Sequence, residues 1–72
     1  MLTKKEKEKL KTIGFGFGIT GVEDMYTLCD LIYDEMICYF AIGLKNITIP
    51  FSISDMEFVE KCMYKLDKNY VL

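Results

Sequence analysis

Histidine, arginine, tryptophan and glutamine are all missing from this 72-residue sequence, and proline occurs once, at Pro50. Without histidine the chain lacks the side chain that titrates near neutral pH unaided, so acid–base chemistry would need a carboxylate or lysine shifted by burial. Without arginine it lacks the forked donor that grips phosphate in two places at once. The cysteines, Cys29, Cys38 and Cys62, are odd in number, widely spaced and set among apolar residues. That pattern fits neither a disulfide framework nor a zinc site, and all three read as reduced, buried hydrophobes. The longest uncharged apolar run, Met36 to Leu44, falls far short of the roughly 18 residues a membrane span needs. The opening residues are charged and no apolar signal region follows them, so no secretory leader is expected and the cytoplasm is the expected compartment.

Positive charge is also missing from the middle. Between Lys11 and Lys45 there is none, while Glu23, Asp24, Asp30, Asp34 and Glu35 all fall in that stretch. Residues 1–12 carry five lysines against Glu6 and Glu8. Such unevenness bears on partners and solubility rather than on fold. What the chain does have is apolar mass: 51% of residues are hydrophobic and 14% aromatic, which excludes a disordered polar chain and suits a single domain spanning residues 1–72.

Thr3 and Glu6 form a capping-box pattern that opens a Lys/Glu-rich helix to about Thr12, solvated nearly all round. Ile13-Gly-Phe-Gly-Phe-Gly-Ile19 alternates with period two, as a strand does, and does not match the glycine spacing of a dinucleotide fold. Residues 20–35 support two readings. Thr20 and Glu23 mimic a second capping box, yet no glycine or proline separates this segment from the β-prone Ile37-Cys-Tyr-Phe40 run. A turn at Lys45-Asn46 would pair Leu44 with Ile47, Ile42 with Ile49, Phe40 with Phe51 and Cys38 with Ile53. Continued through a turn at Asp34-Glu35, the same register puts Tyr33, Leu31, Cys29, Thr27 and Met25 on that same face. Pro50 suits an edge strand. Ser54 with Glu57, and Ile53 with Phe58, mark the start of a final helix whose apolar stripe is Met56, Val59, Cys62, Met63, Leu66 and Tyr70.

The expected fold is therefore α+β: an exposed N-terminal helix, a four-stranded antiparallel meander, and a C-terminal helix packed on one sheet face. The rival keeps residues 21–34 helical beside a two-stranded hairpin. In the meander, Tyr26, Leu28, Asp30, Ile32, Ile37 and Tyr39 occupy the uncovered sheet face, with Glu23, Asp24, Asp34 and Glu35 as acidic margins. A bare apolar face of that kind marks an interface.

No residue pair is spaced for nucleophilic or metal chemistry, and no cofactor, metal or catalytic residue is expected. Direct nucleic-acid binding is not expected, because the aromatics alternate with acids rather than with lysines. The expected function is a non-catalytic protein-binding module. Its acidic edges and aromatic sheet face would occupy a basic site on a larger protein, such as a nucleic-acid-handling enzyme. In size, AT-rich coding character and lack of catalytic motif the chain resembles the small accessory proteins of phages and mobile elements, anti-CRISPR and other anti-defence inhibitors among them. That resemblance is one of kind and transfers no residue. The alternatives are a homo-oligomeric ligand-binding protein joined through bare sheet faces, and a small regulatory or antitoxin-like protein.

Overall fold

The computed structural model describes residues 1–43 and 49–67, and among them it contains three helices and no β-strand. Helix α1 runs Lys4–Gly16, α2 runs Met25–Gly43 and α3 runs Ile53–Leu66. The α+β meander is therefore overturned: the described part of the protein is an all-helical domain, with no sheet and no sheet face. The helical rival was right about residues 25–34 but stopped the helix too soon, and its hairpin is absent from the described residues. The turn proposed at Lys45-Asn46, and Tyr70, lie outside them.

The capping box at the start of α1 forms as its spacing predicts. The Thr3 hydroxyl accepts from the Glu6 backbone N–H at 3.2 Å, and the Glu6 carboxylate accepts from the Thr3 N–H at 2.9 Å. The glycine-alternating segment then continues this helix to Gly16 instead of forming a strand, and Gly14 and Gly18 serve different ends. A Cβ on buried Gly14 would lie 3.2 Å from Leu28 Cδ1 and 3.4 Å from Ile32 Cδ1, so the missing side chain lets α2 approach α1. Gly18, at φ +77, lies just past the C-cap Phe17 in the left-handed conformation that closes many helices. Its N–H donates to the Phe15 carbonyl at 2.9 Å, and the Ile19 N–H donates to the Gly14 carbonyl at 2.8 Å. These two bonds satisfy carbonyls that the helix end leaves open.

Asp24 starts α2, its carboxylate accepting from the backbone N–H of Thr27 at 2.9 Å and from the Thr27 hydroxyl at 2.8 Å. Nothing then interrupts the helix until Gly43. The β-prone Ile37-Cys-Tyr-Phe40 run stays helical because local preference is too weak to stop it. The four residues together forfeit less than about 3 kcal/mol relative to alanine. Each further turn adds backbone hydrogen bonds without a new nucleation cost, and burying one side chain such as Met36 returns about 1.5–3 kcal/mol.

Helix α3 is capped two residues earlier than expected. Ser52, not Ser54, is the N-cap, and its hydroxyl accepts from the Asp55 N–H at 3.2 Å. Ile53 is 53% exposed, so the expected staple to Phe58 is not its role. Phe58 instead lies beneath the Lys9 ammonium, 4.4 Å from the ring centroid.

The core lies where the three helices meet: Leu2 and Leu10 from the N-terminal segment, Leu28, Cys29, Ile32 and Met36 from α2, and Val59, Cys62 and Met63 from α3. Among the described residues no polar or charged side chain is buried in it. Polar ties close its margins. Lys65 donates to Glu6 at 2.6 Å, Lys9 faces Asp55 at 3.9 Å, and the Tyr33 hydroxyl donates to Glu60 at 3.1 Å across α2 and α3.

Candidate functional site

A helix of 3.6 residues per turn sorts α2 into an inner and an outer side. The inner side holds the buried Leu28, Cys29, Ile32 and Met36, joined by half-buried Tyr26, Tyr33 and Tyr39. The outer side consists of two adjoining rows, each stepping by four, three and four residues. One row is Asp30, Asp34, Ile37 and Ala41; the other is Leu31, Glu35, Cys38 and Ile42; all eight are exposed.

Chemistry changes along these rows. Over the first half the outer side is acidic, through Asp30, Asp34 and Glu35, and no cation occurs anywhere in α2. Beyond Met36 it carries no charge at all. Ile37 is 45% exposed, Phe40 39% and Ile42 42%, so the last two turns are apolar on every side while the core covers only one. A helix apolar all round is ordinarily buried all round. Here an uncharged end with an acidic collar stands open.

The packing behind this surface is firm. Phe17, at the end of α1, lies with its ring centroid 5.7 Å from that of Tyr39 and 5.8 Å from that of Phe51, both in tilted arrangements. Tyr39 is thereby held on the inner side, which fixes Ile37, Cys38, Ala41 and Ile42 outward.

The structure redistributes the residues that the sequence assigned to one sheet face. Leu28 and Ile32 are core residues at 4% and 0% exposure. Tyr26 and Tyr39 are half-buried on the inner side. Asp24 caps α2, and its two bonds from Thr27 hold its carboxyl below the usual range. Glu23 is exposed in the preceding loop. Asp30, Asp34, Glu35 and Ile37 do come together, as neighbours on the outer side of one helix. Leu31, Cys38 and Ile42 were missed as surface residues. Their signal was present in the spacing of the two rows and in the uncharged run from Met36, once that run is read with a helical period.

The thiols differ sharply. Burial pushes the Cys29 thiol up to about 12, with Cys62 and Asp24 adding to the effect, and burial likewise raises Cys62. Both are fully buried and stay protonated at neutral pH, whereas Cys38 is exposed on the outer side of α2. Among the described residues no group of three or more His, Cys, Asp or Glu side chains is placed to hold a metal ion. None of the described helices is long and apolar enough to cross a membrane. Neither a protein-family model, nor a curated protein, nor a solved structure matches the chain.

Proposed function

We propose that this protein is a non-catalytic binding module that presents the outer side of α2 to a larger protein. The observation that carries this reading is the uncharged end of α2, where Ile37, Phe40, Ala41 and Ile42 are exposed in a helix that is apolar all round. The partner surface that suits it is an apolar groove with a basic rim. The groove receives Ile37, Cys38 and Ile42, and the rim meets Asp30, Asp34 and Glu35. This is helix-in-groove recognition, in which residues three and four apart supply the anchors. A basic rim is characteristic of nucleic-acid-handling enzymes, and a small acidic module seated there acts as an inhibitor. Three free cysteines, two of them fully buried, suit a reducing cytoplasm.

The test compares affinity capture from host lysate by three forms of the protein with the same circular dichroism: the wild type, an Ile37→Lys/Ile42→Lys variant and an Ile53→Lys variant, Ile53 being exposed at a site outside α2. The reading expects one larger protein held by the wild type and by Ile53→Lys, released by the α2 variant and eluted by salt. Retention that the α2 variant leaves unchanged would overturn it. So would a wild type that light scattering shows to be a dimer which the α2 variant dissolves, because the surface would then serve self-association.

A further inference from the structure

We infer that α1 carries a second binding surface, for an acidic peptide segment that ends in an apolar anchor residue. The sequence alone makes α1 a mixed Lys/Glu helix, but its ion pairs sort the charges by side. Glu6 is engaged by Lys65 at 2.6 Å, and Lys9 by Asp55 at 3.9 Å and by the Phe58 ring. Both therefore belong to the α1–α3 seam. Lys4, Lys7 and Lys11 are left outside it, exposed and recurring at i, i+3 and i+7, with no ion-pair partner among the described residues. Phe15 follows at i+11 in the same row and is 73% exposed. Glu8, exposed on the same face at i+4 from Lys4 and three residues before Lys11, is the acid that dilutes this charge.

The row runs into a cleft of about 420 Å³ between the end of α1 and the loop to α2. Its apolar lining comes from Phe15, Ile19, Val22 and Leu28; Lys11 joins from α1 and Glu23 from the loop. A cationic row leading into an apolar cleft is complementary to a segment with the opposite charge and a terminal apolar side chain. The row from Lys4 to Lys11 rises about 10 Å along the helix, which about three or four extended residues span. Those residues are acidic, the next is the anchor, and the one after it is neutral or basic because Glu23 lies on that side. This surface is separate from the outer side of α2 and does not depend on it.

The probe is a fluorescein-labelled peptide of four glutamates followed by phenylalanine and lysine, titrated with the full chain and read by fluorescence anisotropy. The expected result is saturable, salt-sensitive binding that weakens about tenfold when the peptide phenylalanine is replaced by alanine. Binding is lost in a Lys7→Glu/Lys11→Glu variant with unchanged circular dichroism, and is unaffected by Ile37→Lys/Ile42→Lys. Absence of saturable binding would overturn the inference. Equal affinity for the alanine peptide would also overturn it, since charge alone would then explain the contact. Displacement of the peptide by phosphatidylserine vesicles that bind more tightly would assign the surface to anionic lipid instead.

Discussion

Gly14, Gly16 and Gly18 sit two apart in one helix end yet do three different things, and their substitutions separate accordingly. Nothing lies within 4 Å of a Cβ on Gly16, so Gly16→Ala should raise stability by up to about 1 kcal/mol through helix propensity. Gly18→Ala meets no neighbour either, but at φ +77 it should cost about 1–2 kcal/mol in backbone strain. Gly14→Val forces atoms into the contact with Leu28 and Ile32 and should cost about 1–3 kcal/mol. Urea midpoints of the three variants check the order; a strand would give no such pattern. The cysteines make a second residue-scale prediction. N-ethylmaleimide at neutral pH should add once to the native protein, at Cys38, and three times after denaturation, as read by intact mass.

At the scale of the element, α2 predicts opposite outcomes for isoleucines five residues apart. Ile32 is fully buried and Ile37 is 45% exposed. Ile32→Ala should cost about 2–5 kcal/mol, whereas Ile37→Lys should stay within about 0.5 kcal/mol of wild type. Thermal melts of both variants check this; equal losses would contradict the inner and outer sides assigned here. The same helix shows what was legible in the sequence. The α1 capping box was readable because Thr3 and Glu6 are local, and the buried stripe of α3 was readable from its spacing. The rows of α2 were not, because Ile37-Cys-Tyr-Phe40 has the composition of a strand and the two-residue period fitted the flanking segments equally well. The tie was broken by continuity: no residue between Met25 and Gly43 stops a helix, and Gly14 admits it against α1. The glycine alternation misled for a related reason, since a packing contact, an open position and a left-handed cap were taken together as one strand pattern. The candidate surface was half legible, in that Asp30 and Ile37 share a side under either reading with Asp34 and Glu35 at its margin, while Leu31, Cys38 and Ile42 change sides with it.

For the whole molecule, the Glu6–Lys65 pair links pH to the α1–α3 seam. The bond from Lys65, aided by the Thr3 N–H, holds the Glu6 carboxyl down at about 2 against an ordinary 4.5. A group whose folded pKa is depressed contributes its full stabilisation above its unfolded pKa and loses it as pH falls through the folded one. Acid should therefore loosen the protein between pH 4.5 and about 2, and a Glu6→Gln variant, followed by circular dichroism, should show less change across that window. Outside that seam α1 is basic, through Lys4, Lys5, Lys7 and Lys11 against Glu8, and α2 is acidic, so one small domain offers two surfaces of opposite charge.

The claim on which the account rests is that the uncharged end of α2 is covered by another protein. Alkylation of Cys38 measures this directly, because Cys38 is exposed among Ile37, Ala41 and Ile42 while Cys29 and Cys62 are buried. Tagged protein would be pulsed with N-ethylmaleimide in buffer over a range of protein concentrations, and again in host lysate, then recovered and weighed intact. The account predicts rapid single labelling in buffer at every concentration and protection in lysate that disappears in the Ile37→Lys/Ile42→Lys variant. Labelling in lysate as fast as in buffer, or protection that grows with the protein's own concentration, would contradict it.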